Sequence, residues 1–508
     1  MICVSSNVES IRLSAYHLVK AFMPDEEVRQ EGTLAACASS VQGLNRKTNW
    51  QRLSGDGGVS KKVMPAPENA EFLRIEAEDG SCIVSLSGKR LDKDESDIMV
   101  YDMLRDYTGT ELPWGVLTGV RPVKLASARI GHMSREEYAG FMSGSRRVSR
   151  DKALLSWDIA YREDELIRKA LGGKVRDYDS YSLYIGIPVC PSICSYCSFS
   201  SGPLSRWRGR MDEYVESLCR ELQEVSPQLA EKHLTSIYIG GGTPTVLTEA
   251  QQERLMQGIA SAFPVSEAVE YTLEAGRPDT ITEDKLQIAL AHGVNRISIN
   301  PQTMQQRTLD AIGRSHTVEE VVKSYVLARQ MGFNNINMDL IAGLEGETEA
   351  DMVDTLRRLK RLGPDSLTVH ALAVKRAAKT DKITTAGDVV TGMIEEAATG
   401  AADMGMKPYY LYRQKSMAGN HENIGYAVPG KESIYNIMIM EEVQSIIACG
   451  AGSTTKVLLK EPVQNPDRAD GVMTRLLRQD NVSRIDEYIR RLDEMIVAKA
   501  EVISQIGR

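Results

Sequence analysis

Between Tyr181 and Leu372 the chain repeats one pattern: a short apolar run, then a longer stretch whose apolar positions recur every three or four residues. The runs fall at Leu183–Ile187, Ser236–Ile239, Val269–Glu274, Arg296–Asn300, Ile336–Ile341 and Ser366–Leu372. Their length and flanking residues predict buried strands, and the periodic stretches between them predict amphipathic helices. In Met211–Val225, for example, Met211, Tyr214, Leu218, Leu222 and Val225 share one helical face. Three later helices open with capping boxes or close variants of them: Thr248 with Gln251, Thr317 with Glu320, and Thr348 with Asp351. The last of these ends in Lys360 and Arg361 before Gly363-Pro364, a stop signal that also suits the helix dipole. Parallel strands need helical crossovers, so six such units in succession predict an α/β fold built as a partial (βα)6 barrel. In such folds the chemistry lies at the carboxyl ends of the strands.

The flanking regions carry weaker patterns. Up to about Lys62 the chain is rich in Ser and Gly and shows no clear period; Ala70–Ser87 alternates as strands do, and Arg146–Leu171 reads as a helix ending at Gly172-Gly173. Lys174–Ser180 reads as a polar linker. Beyond about residue 400, Gly-rich loops precede a charged helical tail, Ser483–Ile506. The expected division is therefore an N-terminal α+β accessory region over 1–175, the barrel over 176–400, and a mostly helical, substrate-covering extension over 401–508.

Composition narrows the function classes. A chain of 508 residues exceeds one core, and a formal charge of -8 has the wrong sign for a general nucleic-acid or membrane-surface binder. Met1-Ile-Cys-Val-Ser-Ser lacks a secretory start, and no run of about 18 apolar residues occurs, so a cytoplasmic protein without membrane insertion is expected. A monomer is expected too. Eight cysteines are too sparse for a disulfide scaffold. Cys3, Cys37, Cys82, Cys219 and Cys449 are scattered and read as plain thiols, buried or on the surface.

The other three cysteines lie together in Tyr184-Ile-Gly-Ile-Pro-Val-Cys190-Pro-Ser-Ile-Cys194-Ser-Tyr-Cys197-Ser-Phe. They sit in a loop just after the first barrel strand, where an irregular backbone can turn several sulfurs to one side. Three readings compete: a zinc site, which normally has four closed ligands and here lacks the fourth; a thiol trio without metal; and a [4Fe–4S] cluster with one open iron. Cys-x3-Cys-x2-Cys at this position resembles the radical S-adenosylmethionine (SAM) superfamily. That resemblance implies that Cys190, Cys194 and Cys197 are the metal ligands and the catalytic centre. It also implies that the open iron chelates SAM, and that electron transfer cleaves SAM to methionine and a 5′-deoxyadenosyl radical.

Further motifs carry the resemblance. Gly240-Gly-Gly-Thr-Pro-Thr245 follows the second strand, where glycines let the backbone approach a ligand and expose its N–H groups. It is similar to the superfamily loop that meets the amino group of SAM, which implies roles for Gly241, Gly242 and Thr243. Glu274 closes the third strand, where a carboxylate can accept from ribose hydroxyls. Arg296-Ile-Ser-Ile-Asn300-Pro-Gln302, Ile312-Gly-Arg-Ser-His316 and Asn337-Met-Asp339-Leu-Ile-Ala-Gly-Leu344 resemble the oxygen-independent coproporphyrinogen III dehydrogenase (oxidase) family. In that family Gln, Arg and Asp at such positions contact SAM, which implies Gln302, Arg314 and Asp339 here. Tyr184, Tyr196 and, more loosely, Ala371 match further SAM contacts. Asn420-His-Glu-Asn-Ile-Gly-Tyr426, Tyr435-Asn436, Tyr409–Lys415, Gly450-Ala-Gly452 and Gly119-Val-Arg121-Pro-Val-Lys124 look typical of the branch with an extra N-terminal region.

The reaction implied is oxidative decarboxylation of two propionates of coproporphyrinogen III to vinyl groups, giving protoporphyrinogen IX in oxygen-free haem (porphyrin) biosynthesis. An external electron donor and acceptor are implied with it. Four substrate carboxylates call for cations, and Lys375, Arg376, Arg413, Lys415 and Lys431 are the candidates. Phe199 stands where the dehydrogenase usually has a fourth cysteine, and Gly186 where close relatives often have His. Relatives lacking that cysteine include haem-binding chaperones, so a carrier without turnover is the alternative. His370, near the end of the sixth strand, is open between a site role and packing.

Overall fold

The computed structural model describes residues 1–24, 26–31, 51–53, 59–60, 71–77, 82–88, 90–119, 121–197, 202–373, 387–414, 420–466 and 472–507. They form two compact units: Met1–Asp158 with Ala386–Asp388 and Tyr412–Glu422, and the remaining residues.

The first unit is built on strands β1 (Ile2–Ser6), β2 (Val28–Glu31), β3 (Gln51–Leu53), β4 (Val59–Ser60), β5 (Glu71–Ala77) and β6 (Cys82–Gly88), in the order β2-β1-β5-β6-β3-β4. β1 runs parallel to β2 and antiparallel to β5. Helices α1 (Glu9–Phe22) and α2 (Lys93–Thr108) cover the sheet, and Val4, Leu18, Leu73, Ile75, Val84 and Leu104 form the core between them. Asp92 caps α2 by accepting from the Glu95 amide, and Gly109 ends it in a left-handed turn at φ 69°. Cys3 is disulfide-bonded, which corrects its reading as a plain thiol; Cys219 and Cys449 are thiols. Cys37 and the side chain of Cys82 lie outside the described residues.

A buried polar cluster in this unit settles one candidate cation. Arg413 is buried and donates to the carbonyls of Leu117, Asn420 and His421, with its guanidinium over the Trp114 ring. Burial pushes its pKa down to about 10. Its donors are engaged by backbone, so Arg413 is a structural residue rather than a propionate ligand.

The second unit holds the six predicted strands: β7 (Ser180–Ile187), β10 (His233–Gly241), β11 (Glu270–Glu274), β12 (Arg296–Ser298), β13 (Ile336–Ala342) and β14 (Ser366–Ala371). Between β7 and β10 lie the two-residue strands β8 (Val189–Cys190) and β9 (Gly202–Pro203). All six barrel strands pair in parallel and in sequence order. The helices that return the chain have the capping boxes that the sequence predicts, at Thr248/Gln251, Thr317/Glu320 and Thr348/Asp351. The predicted helix at Arg146–Leu171 spans Arg150–Ala170.

The C-terminal region adds helices and also strands. β15 (Lys407–Tyr412) and β16 (Asn423–Ala427) extend the sheet beyond β14, while β17 (Ser445–Cys449), β18 (Thr454–Gln464) and β19 (Met473–Asp480) extend it beyond β7. β17 joins β7 in parallel, so the barrel strands are flanked on both sides by later chain.

Side chains alternate across these strands, and the two faces differ in kind. One face carries Leu183, Ile185, Ile237, Ile239, Leu273, Ile297, Met338, Leu340, Leu367 and Val369, all buried. The other face lines the barrel and is polar. Ser182 and Ser236 share a hydrogen bond of 2.7 Å, Asn337 reaches Ser298 at 3.1 Å, and Ser366 reaches Asn337 at 3.0 Å.

A buried ion pair ties the tail to the barrel. Glu221, on the helix Met211–Val225, and Lys499, on the helix Leu492–Ile503, both have fully buried side chains. Lys499 also donates to the Ala448 carbonyl, while Glu221 accepts from Tyr488 at 2.6 Å, Asn481 at 2.8 Å and the Gly450 amide at 2.8 Å. Burial alone would raise the Glu221 pKa, but Lys499 and these donors hold it below the usual range. Lys499→Met should therefore cost about 3–5 kcal/mol, because it strands a buried charge. The expected readout is a lower urea midpoint, partly restored when Glu221→Gln is added. A double variant no more stable than Lys499→Met would show that the stranded charge is not the cost.

Candidate functional site

Cys190, Cys194 and Cys197 follow β7 directly, at the carboxyl end of the barrel, as thiols rather than disulfides. Cys194 is buried and the other two are half-buried. The loop has little regular structure of its own, so its neighbours hold it. The Thr243 amide donates to the Val189 carbonyl at 2.8 Å, the Ser195 amide to Ile312 at 3.1 Å, and the Cys197 amide to Cys194 at 3.2 Å. The Thr243 hydroxyl lies 3.5 Å from the Cys190 sulfur.

The glycine loop is packed against this segment. A Cβ on Gly242 would stand 2.6 Å from the Val189 oxygen and 2.9 Å from the Cys190 sulfur, so only glycine fits. Gly241 adopts φ 115° and leaves no more room beside Ile187. The amides of Gly242 and Thr243 are engaged with the Ile187 and Val189 carbonyls. The expectation that this loop exposes its N–H groups is thereby corrected at these two positions. An ammonium group is a donor, and carbonyl oxygens are what it needs from such a loop.

Glu274 ends β11 facing the barrel interior. It accepts from the Tyr238 hydroxyl and from the Gly241 amide, while burial and nearby Asp339 push its pKa up to about 7 against those donors. Tyr184 stacks on Tyr238 with ring centroids 6.2 Å apart, and Tyr435 stacks on Tyr238 at 4.5 Å. Burial raises all three phenol pKa values, keeping the rings neutral.

Asp339 lies across the mouth. Its carboxylate accepts from Asn337 at 2.7 Å and lies 3.8 Å from His370 Nε2. Burial would raise its pKa, but His370, Asn337 and Thr368 hold it below the usual range. Gln302 sits beside it in a left-handed conformation, φ 68°, rare for a residue with a side chain. Two backbone bonds fix that turn: Gln302 to the Asp339 carbonyl at 2.9 Å, and Ile341 to the Gln302 carbonyl at 3.0 Å. Arg314 reaches the Asn300 carbonyl at 2.5 Å and lies against Tyr196 and Cys194.

The structure thus gathers Tyr184, Gly241, Gly242, Thr243, Glu274, Gln302 and Asp339 at the carboxyl ends of the strands, with Tyr196 and Arg314 at the cysteine loop. Ala371 is set apart. Its amide donates to Asn423 at 3.0 Å, and it follows His370, so its side chain takes the opposite face of β14. Lys431 does not reach the site: it pairs with Asn334, just ahead of β13, at the other end of the barrel. Lys375, Arg376, Lys415 and Phe199 lie outside the described residues. Tyr238 and Arg277 were not singled out by sequence, and Tyr435 was noted only within the family resemblance, with no site role. Tyr238 was within reach, since it alternates in step with Gly240; Tyr435 comes from distant chain, and its motif gave no sign that it joins the tyrosine stack.

Soft thiolates on one loop, beside a cradle too tight for any side chain, suit an iron–sulfur cluster. Among the described residues no three His, Cys, Asp or Glu side chains gather as closely as a single metal ion requires. A four-iron cube spreads its ligands over separate corners.

The raised Glu274 pKa has a stability consequence of definite sign. Below about pH 4.5 the carboxyl is neutral in both folded and unfolded chains; between there and about 7 only the unfolded chain ionises, so stability falls as pH rises. Glu274→Gln should therefore melt higher than the parent apo protein at pH 8, with little difference at pH 5. Equal differences at both values would refute the burial argument.

A radical SAM superfamily profile matches residues 184–359. The oxygen-independent coproporphyrinogen-III oxidase-like protein HemZ of Bacillus subtilis (strain 168) is 41% identical over 414 residues, 80% of either chain. The heme chaperone HemW of the same organism is 36% identical over 195 residues, 38% of this chain and 51% of its own. Coproporphyrinogen III oxidase (HemN) of Escherichia coli shares the fold, with a TM-score of 0.51 at 22% identity, over 66% of this chain and 73% of that one. Among the described residues no helix is long and apolar enough to cross a membrane. The chain belongs to the radical SAM superfamily, within its oxygen-independent coproporphyrinogen-III oxidase-like family, and its cofactors are a [4Fe–4S] cluster and SAM.

Proposed function

We propose that this protein oxidatively decarboxylates propionate side chains of coproporphyrinogen III to vinyl groups, with Cys190, Cys194 and Cys197 as the cluster ligands. The observation that carries the reading is the 41% identity to a coproporphyrinogen-III oxidase-like protein over four-fifths of both chains. When bound, the cluster and SAM supply a carbon-centred oxidant for unactivated C–H bonds. Each propionate would lose one hydrogen atom from its β-carbon, then CO2 and one electron to an external one-electron acceptor.

The chain's own residues position and shield. The carbonyls of the glycine loop meet the amino group of SAM, Glu274 accepts from its ribose, and Gln302, Asp339 and Arg314 frame the rest. Tyr184, Tyr238 and Tyr435 fill the lumen below and keep water from the reacting atoms. Lys375, Arg376 and Lys415 are the candidate cations for the substrate carboxylates.

A second reading has one observation in its favour. Phe199 occupies the place of the fourth cysteine usual in the dehydrogenase, and the relatives named heme chaperones share the barrel portion of this chain. Anaerobic reconstitution, reduction and incubation with SAM and coproporphyrinogen III separates the two. The enzyme reading expects CO2 and mono- and divinyl products by mass spectrometry, absent in Cys190→Ala, Cys194→Ala and Cys197→Ala, which also lose iron. Tight haem binding with SAM cleavage but no vinyl product would overturn it.

A further inference from the structure

Only Pro191, Ser192 and Ile193 separate the first two cysteines. Backbone bonds hold the segment on either side of them, at Val189 and at Ser195. The middle is gripped by a side chain from another strand end. Arg277 is 3% exposed, and its Nη1 donates to the Ser192 carbonyl at 3.3 Å and hydroxyl at 3.2 Å. The remaining guanidinium edge is taken by Asp279, Nε to Oδ1 at 3.0 Å and Nη2 to Oδ2 at 3.2 Å. A planar fork held by two parallel bonds has little freedom to turn, so it presents its third nitrogen in one direction.

The surroundings add to this. His316 is fully buried, neither ring nitrogen has a hydrogen-bond partner among the described residues, and Nδ1 lies 3.9 Å from Asp279. Burial and the neighbouring Arg314 and Arg277 push its pKa down to about 3, so it stays neutral and leaves Asp279 as the counter-ion of Arg277. Ser192 also donates onward to the Gly313 carbonyl at 3.4 Å. Arg277 follows Glu274 by three residues, so one short segment faces the barrel mouth with one side chain and the cysteine loop with another.

We infer that Arg277 is a positioning residue for the iron–sulfur cluster: anchored by Asp279, it clamps Ser192 and so fixes the spacing of Cys190 and Cys194. The inference rests on the proposal that these cysteines are ligands. A merely structural Arg277–Asp279 pair would affect melting alone; a clamp also changes the cluster that is held.

The test uses the full chain, reconstituted anaerobically with iron and sulfide, in Arg277→Met, Arg277→Lys, Asp279→Asn and Cys194→Ala. The readouts are iron and sulfide per chain, resistance of the cluster to a chelator, and the paramagnetic resonance spectrum of the reduced cluster with and without SAM. Melting of the apo chain is the control. Loss of a group bonded directly to a ligating side chain typically weakens metal retention by about 10–100-fold, and Arg277→Met, which acts through Ser192, should fall toward the low end of that range. Its spectrum should broaden and respond less to SAM, a change in the cluster beyond the drop in apo melting that comes from unpairing the partly exposed Asp279. Asp279→Asn should do the same to a lesser degree, and Arg277→Lys should recover part of the loss. Parent-like retention and spectra in Arg277→Met, with the cluster lost in Cys194→Ala, overturn the clamp alone. Retention in both overturns the ligand assignment and the clamp with it. Melting and retention falling together, with a parent-like spectrum from the cluster that remains and no recovery in Arg277→Lys, make Arg277 structural and overturn it too.

Discussion

A loop with no regular hydrogen-bond ladder must hold three sulfurs in fixed places, and everything at the mouth of this barrel follows from how that is done. A strand would point alternate side chains to opposite faces, and a helix would leave the first and third cysteines seven residues apart on its surface. The chain instead borrows order from its neighbours. Val189 and Ile187 accept amides from the glycine loop, Ser195 donates to Ile312, and Ser192 is met by Arg277. Gly242 is the tightest of these junctions, because the Cys190 sulfur occupies the volume where its side chain would stand.

The barrel interior is costly for the same functional reason. Lining β-barrel strands with branched aliphatic residues is the stable solution. Here Ser182, Ser236, Thr272, Ser298, Asn337 and Thr368 take those positions, with tyrosines among them. Glu274 is held in a place that favours its neutral form, and the buried Arg296 has an Nε without a hydrogen-bond partner among the described residues. Such groups weaken the fold but give a polar ligand something to bond. The opposing stabilisation comes from the apolar outer face and from buried networks remote from the mouth, such as Glu221 with Lys499 and Tyr488.

Much of this was legible in the chain. The strand periods, the three capping boxes and the cysteine spacing are local signals, and each reappears where the sequence predicts it. The alternation Ser182-Leu-Tyr184-Ile-Gly186-Ile even carries the two-faced character of β7. What stayed hidden depends on long-range contact. Nothing in Arg413 or Lys431 announces that one is engaged with backbone carbonyls and the other stands at the wrong end of the barrel. Tyr435 enters the tyrosine stack from a helix some two hundred residues beyond its partner Tyr238, and Cys3 gives no local sign of its disulfide.

The distinction between an oxidising enzyme and a carrier does not lie in the three cysteines or the glycine cradle, which both readings use alike; in the cysteine loop it shows as Phe199 in the place of a fourth cysteine. The oxidative reading places a further demand above the mouth. A carrier has only to hold its tetrapyrrole. An enzyme must bring one β-carbon of a propionate within van der Waals contact of the reacting carbon of SAM, and must do so twice. That requirement falls on residues able to fix carboxylates at a set distance from Glu274 and Asp339. His370 is the side chain on β14 nearest that direction, 3.8 Å from Asp339 and partly exposed, whereas the buried phenols beneath it have no such access. On the proposed reading, selectivity would rest on cations and imidazoles around the mouth, with His370 beside Asp339 the imidazole placed for that task.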